Sequence, residues 1–153
     1  MEILTRNLVH ESLDATNKKE AIARLASILY SEKRILSVDE FVRNVMEREA
    51  EYTTGFGDGI AIPHGKSSTV LTPTLSVARC RIPVDWDAMD GLPVSLIFLL
   101  AVPEADAGTV YLKMLATLAE SLMDEDTRTA LLGLEHHEEL FQYVKSILGG
   151  HKT

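Results

Sequence analysis

The chain's 153 residues, 46% hydrophobic and 25% charged, match ordinary soluble usage and the length of one domain, which buries enough surface to build a core without disulfides or a structural metal. Its single cysteine, Cys80, has no partner in the chain, and five scattered histidines form no dense ligand cluster, so a reducing compartment and no metal are expected. The net charge of −8, from 15 Lys+Arg against 23 Asp+Glu, excludes a general affinity for nucleic-acid backbones or anionic membranes, and no apolar run approaches the roughly 20 residues of a spanning helix.

The opening MEILTRNLVHESLD lacks a basic stretch followed by an apolar one, so no secretory signal is read and a cytoplasmic address is expected. Asn17 with Glu20 three positions later, then Ile22, Leu25, Ala26 and Leu29, predicts an amphipathic helix over 17–31. Ser37 with Glu40 repeats the device and predicts a second helix over 37–50, with Phe41, Val45 and Met46 on its apolar side. Gly55, Gly57 and Gly59 then predict a loop, and Ile60-Ala61-Ile62 a short strand stopped by Pro63. Alternation from Leu75 to Ile82 predicts a half-buried strand closed by Pro83, and PVDWDAMDGLP over 83–93 a turn-rich connection. The apolar run from Val94 to Val102 predicts a central strand covered on both faces and ended by Pro103. Stripes over 111–122, 124–134 and 135–148 predict three further helices, with Thr109 as a candidate cap for the first of them.

Helices before and after a group of strands joined by loops predict an α/β domain: a mixed parallel and antiparallel β-sheet flanked by helices on both faces. No repeat, low-complexity segment or linker interrupts it, so residues 1–149 form one domain and 150–153 a tail.

GFGDG invites a nucleotide reading, but its G-x-G-x-G precedes a strand, whereas the dinucleotide fingerprint is G-x-G-x-x-G between a strand and a helix. Gly65-Lys66-Ser67 contains G-K-S, yet Ile60 stands where a phosphate-binding loop requires glycine. The informative residue is His64, after a short apolar strand and Pro63 and before Gly65, because strand ends collect ligands and reacting groups in α/β proteins. Near neutral pH an unprotonated imidazole nitrogen can attack phosphorus and form a phosphoramidate of high transfer potential. A satisfied loop histidine is the structural alternative.

The segment from Arg48 to Gly65, REAEYTTGFGDGIAIPHG, resembles the signature of the fructose/mannitol type of enzyme IIA domain in the bacterial phosphoenolpyruvate-dependent sugar phosphotransferase system, through R-E, then T-G, then A-I-P-H-G. DWDAMDG followed by PV, VSLIFLLAVPE and LKMLATLAESL also resemble that family, its fructose branch most, with the nitrogen-regulatory branch as the alternative. The resemblance covers the chain from the first helix to Leu148, implies a mixed sheet flanked by helices, and leaves no room for fused partner domains. It implies that His64 is the phosphorylated nucleophile, accepting from the phosphocarrier protein HPr and passing phosphate to a cysteine of enzyme IIB. No cofactor is implied, and the membrane permease is reached only through the IIB and IIC components. Arg48 matches the family's active-site arginine, a planar cation suited to equatorial phosphoryl oxygens; a solvated arginine on a helix face is its bland reading. Thr54, Gly55 and Gly65 lie in the phosphate vicinity of the signature, where a hydroxyl or backbone N–H bonds phosphate or simply builds a turn.

One position departs from the family. The usual second active-site histidine, ahead of L-x-x-L-A, is Tyr111 here, a phenol with a pKa near 10 that can donate a hydrogen bond but carries no positive charge near neutrality. A phosphate contact and a packed tyrosine are both open, and a regulatory module or a degenerate partner-binding domain stand beside the carrier reading. His136 and His137 are adjacent, so on one helix they point apart and read as a solvated face. Cys80 reads as a sheet residue, and Trp86 as a packing anchor or a partner surface.

Overall fold

The computed structural model describes residues 2–106 and 109–149. After a 3-10 turn at Arg6–Leu8 come β1 (Val9–Leu13), α1 (Lys18–Ser31), α2 (Val38–Glu51), β2 (Gly55–Gly57), β3 (Ile60–Ala61), β4 (His64–Ser67), β5 (Thr74–Val84) and β6 (Val94–Pro103), then α3 (Val110–Leu122), α4 (Glu125–Gly133) and α5 (His137–Gly149). The six strands form one sheet in the order β1-β5-β6-β3-β2, with β4 also on β6. β5 and β6 are antiparallel, and so are β2 and β3, while β1 runs parallel to β5 and both β3 and β4 run parallel to β6. The mixed α/β architecture is as expected.

The capping residues place the helices. Asn17 accepts the Glu20 N–H at 2.8 Å, while the Glu20 carboxylate reaches back to the Thr16 N–H at 2.9 Å. Ser37 and Asp124 start α2 and α4 in the same way, accepting from the N–H groups of Glu40 and Thr127. Thr109 is the N-cap of α3 but its side chain makes no capping bond, which corrects the capping expectation.

The sheet also corrects the expected strands. Pro83 does not end β5, which continues to Val84, because the ladder with β6 is irregular between Arg79 and Val84 and a residue without an N–H costs nothing there. Nor is β5 half-buried along its length: Thr74 to Ala78 are all buried, with the Ser76 hydroxyl donating to the Leu8 carbonyl at 2.8 Å. β1, not expected at all, carries only Val9 and Leu13 as buried residues around His-Glu-Ser. β6, buried from Leu96 to Val102, is the central strand covered on both faces. Trp86 is fully buried, so it is a packing anchor, and Cys80 is buried and free, with burial pushing its thiol up to about 11.

His10 on β1 has a buried Nε2 with no hydrogen-bond partner among the described residues. Burial holds its imidazole below the usual histidine range, against the opposing carboxylates of Glu11 and Glu32 and with a further push downward from His137. The folded chain therefore binds fewer protons here than the unfolded chain, and this contribution to stability is complete above the ordinary histidine pKa and lost as pH falls through the lowered one. His10→Leu, which removes the unsatisfied nitrogen, is expected to stabilise the protein by about 1 kcal/mol and to flatten the decline in stability below pH 7; urea titrations at pH 7 and 5 check both.

Candidate functional site

β3 and β4 lie end to end along β6, and the interruption at Ile62-Pro63 is what shapes the site. Ile60 and Ala61 pair with Leu96 and Ile97, His64 to Ser67 pair with Leu100 to Pro103, and the Leu100 N–H still bonds the Pro63 carbonyl at 3.0 Å. His64 was expected at a strand end, and it stands at the start of β4, a strand that was not expected, because main-chain pairing with β6 makes a strand of His-Gly-Lys-Ser without any apolar alternation. At the break the Ile62 N–H turns to the Thr54 carbonyl at 3.0 Å, and the Ile62 carbonyl accepts from Nδ1 of His64 at 2.9 Å.

That bond decides the ring's chemistry. A carbonyl oxygen only accepts, so Nδ1 carries the proton in the neutral ring and the lone pair sits on Nε2. His64 is 6% exposed. Burial is the main force holding its pKa below the usual histidine value; the Ile62 carbonyl opposes this, the Arg48 cation adds to it, and the Glu49 carboxylate opposes it. A ring held below the usual histidine value, with the proton of its neutral form on Nδ1, is the result.

α2 supplies the rest. Its last turn holds Arg48, whose Nη1 donates to the Tyr52 carbonyl at 2.8 Å, closing off the helix end as a C-terminal cation should. A recess of about 260 Å³ lies between α2 and β4, walled by Asn44, Glu47, Arg48 and Glu51 from the helix and by His64, Gly65 and Lys66 from the strand. Arg48 and Lys66 share that wall with the carboxylates of Glu47 and Glu51, so its formal charges cancel. Gly65 allows the approach of helix to strand: a Cβ there would lie 2.8 Å from Val45 Cγ2, 3.0 Å from Phe41 Cε1 and 3.2 Å from Asn44 Oδ1.

Thr54 and Gly55 do not wall the recess; their hydrogen bonds run inside the protein. The Thr54 hydroxyl donates to Glu49 Oε1, its N–H to Glu49 Oε2 at 3.2 Å, and Trp86 Nε1 donates to the same hydroxyl oxygen at 3.4 Å. The Gly55 N–H goes to Thr53 Oγ1, and a Cβ at Gly55 would lie 2.6 Å from the Cβ of Ala88, so this glycine is required by packing. Gly55 also opens the short strand β2, where a loop was expected, because it pairs with Ala61 of β3. Tyr111 stands in the first turn of α3, and its side chain lies outside the described residues. His137 opens α5, two residues later than expected, and its Nε2 lies 2.8 Å from the Arg6 carbonyl, with His136 just before the helix.

The residue that sequence reasoning missed is Glu49. It is 7% exposed and receives three hydrogen bonds, the third from Lys18 Nζ at 3.1 Å. Lys18 also lies over the Trp86 ring, 5.6 Å from its centroid. The signal was present in the Arg48-Glu49 pair of the signature, but a carboxylate on a charged helix reads by default as solvent-facing.

Residues 2–147 match the family model described as phosphoenolpyruvate-dependent sugar phosphotransferase system, EIIA 2. A fructose-specific EIIA component from Haloferax volcanii is 42% identical over 131 residues, 86% of this chain and 84% of that protein. A nitrogen regulatory protein from Pseudomonas aeruginosa is 35% identical over 149 residues, 97% of this chain and 96% of that one. The chain is also 29% identical, over 94% of its length, to a fructose-specific EIIABC component from Bacillus subtilis, of which it spans 22%. The crystal structure of nitrogen regulatory protein IIA-Ntr from Neisseria meningitidis superposes with a TM-score of 0.83 at 34% identity, covering 95% of this chain and 96% of that one. Enzyme IIAMTL from Escherichia coli, solved in complex with phosphorylated enzyme IIBMTL, shares the fold at a TM-score of 0.76 and 20% identity, covering 97% and 98%.

Proposed function

Because the chain belongs to the EIIA 2 family of the phosphoenolpyruvate-dependent sugar phosphotransferase system, we propose that it is a phosphoryl carrier: His64 accepts the phosphoryl group of phospho-HPr and passes it to a cysteine of enzyme IIB during sugar uptake. The observation that carries this reading is a histidine held neutral, with its proton fixed on Nδ1 by the Ile62 carbonyl, in one recess with Arg48.

In the forward step the Nε2 lone pair forms the new N–P bond as the donor's N–P bond breaks, and the bonding pair returns to the donor imidazole. Positive charge grows on the His64 ring during the attack, and the Nδ1–H donated to Ile62 bears part of it. Arg48 pairs with the equatorial oxygens, in the manner of the arginines that neutralise transferring phosphoryl groups elsewhere. In the onward step a cysteine thiolate of the acceptor attacks phosphorus, and the pair of the broken bond returns to Nε2. A recess of only about 260 Å³ suits a group that moves between two docked proteins, and the partnership of enzyme IIAMTL with enzyme IIBMTL in one structural relative supports an acceptor of the IIB class.

The test is to incubate the protein with phosphoenolpyruvate, enzyme I and HPr and to map the acid-labile phosphate. Label on the peptide carrying His64, and its onward passage to enzyme IIB, is the expected result; no label on His64 overturns the reading. Label that reaches His64 but no enzyme IIB favours a regulatory role of the nitrogen-related type, supported by the Pseudomonas aeruginosa nitrogen regulatory protein that matches 97% of the chain. Tyr111 separates the carrier from a degenerate binding domain. If the missing histidine limits turnover, Tyr111→His accelerates transfer, and an unchanged rate shows that the departure is harmless.

A further inference from the structure

A continuous hydrogen-bonded chain leads from a buried carboxylate to the reacting ring. Lys18 donates to Glu49; Glu49 accepts both the N–H and the hydroxyl of Thr54; the Thr54 carbonyl accepts the Ile62 N–H; and the Ile62 carbonyl accepts Nδ1–H of His64. We infer that Glu49 is a positioning residue: by clamping Thr54 at two atoms it fixes Ile62, and so holds His64 in the Nδ1–H tautomer that leaves Nε2 as the nucleophile.

The argument is one of satisfied valences. A carboxylate buried at the end of α2 is costly to maintain unless its oxygens are filled, and here a lysine and two Thr54 donors fill them. A threonine held at both its N–H and its hydroxyl is anchored about its Cα, and from that anchor its carbonyl accepts the Ile62 N–H at the break between β3 and β4. Neither strand's ladder holds Ile62, since the β3 pairs end at Ala61 and the β4 pairs begin at His64. The orientation of the carbonyl that faces Nδ1 therefore depends on the Thr54 contact, and through it on Glu49. This is the arrangement by which groups behind a histidine set its tautomer in metal sites, transferred to a nucleophile.

The inference rests on the carrier reading only for its effect on transfer, because the tautomer is measured on the unphosphorylated protein. Nitrogen NMR of the labelled full-length chain is expected to show His64 as the Nδ1–H form in the parent. Glu49→Gln and Thr54→Val are expected to bring in a large Nε2–H population and to slow phosphate acceptance roughly tenfold or more. Thr54→Ser, which retains the hydroxyl, restores both. Native spectra with His64 still wholly in the Nδ1–H form in Glu49→Gln and Thr54→Val overturn the inference. So does a Thr54→Val chain without a native spectrum, because Thr54 would then serve the fold rather than the ring. If the tautomer shifts as expected but the parent never accepts phosphate, the positioning role stands and the carrier reading fails; phosphate acceptance with an unmoved tautomer gives the reverse.

Discussion

His64→Ala is expected to accept no phosphate from phospho-HPr, and Arg48→Ala to accept it about 10²–10³-fold more slowly while remaining folded, the loss typical of removing one preorganised group that meets transition-state charge. The two effects differ in kind. Without His64 there is no nitrogen to form the bond, whereas without Arg48 the bond forms against the unrelieved charge of the phosphoryl oxygens and the carboxylates of Glu47 and Glu51 in the same wall. Arg48→Lys falls between them, since an ammonium keeps the charge but loses the planar fork. The pH profile gives a second, independent signature. A protonated His64 has no lone pair on Nε2, so acceptance falls on acidification, and because burial and Arg48 both hold the ring below the usual histidine value, the acid limb lies below that value too. Removing Arg48 withdraws one of those two influences, so the limb of Arg48→Ala moves to higher pH. Quenched-flow acceptance rates between pH 5 and 8 measure both the drop and the displacement. A variant with the parent's rate, or a limb that moves toward acid, would remove Arg48 from the mechanism. Thermal melts exclude the trivial cause, since Arg48 donates to an exposed helix-end carbonyl and the loss of that bond should cost little stability.

α1, α2 and α4 begin at side-chain caps, while α3 and α5 were legible through their apolar stripes. Asn17, Ser37 and Asp124 each sit where a carboxylate, amide or hydroxyl must meet an orphan N–H, and β6 declared itself by an unbroken apolar run. β1, β2 and β4 were not legible, for one shared reason. Val-His-Glu-Ser-Leu, Gly-Phe-Gly and His-Gly-Lys-Ser become strands through main-chain pairing with β5, β3 and β6, and a ladder of N–H and C=O groups leaves no mark on side-chain order. The site divides in the same way. His64 and Arg48 were found through a motif, yet the motif does not state which ring nitrogen carries the proton; that follows from the Ile62 carbonyl, a backbone atom. Thr54 and Gly55 were read as phosphate neighbours or turn builders because they precede His64 within the signature. Their bonds instead turn inward to Glu49 and Thr53, and a buried, fully satisfied carboxylate is invisible to a reading in which charge means solvent.

Gly65→Ala, the addition of one methyl group, is expected to destabilise the protein by about 1–3 kcal/mol and to slow phosphate acceptance beyond what the lost stability explains. The new Cβ would meet Val45 Cγ2 at 2.8 Å and Phe41 Cε1 at 3.0 Å, and both side chains are fully buried in the core. Valine is stiff at χ1 and the Phe41 ring sits in a close-packed interior, so relief is expected to come from α2 moving off β4. That movement carries Arg48 away from His64, because this helix-on-strand contact sets the distance between α2 and β4, and a displacement of a few tenths of an ångström matters to a group that must meet phosphoryl oxygens. Gly133→Ala is the control: a Cβ at the end of α4 meets nothing within 4 Å, so it should leave acceptance unchanged and alter stability by less than about 1 kcal/mol in the favourable direction. Val45→Ala removes the nearer of the two clashes. In that background Gly65→Ala should cost less than it does alone, both in melting temperature and in acceptance rate, and the coupling between the pair measures how tightly the helix holds the arginine to the histidine. Strict additivity of the two substitutions would mean that α2 does not yield at this contact and that Gly65 is needed for some reason other than the approach of the helix.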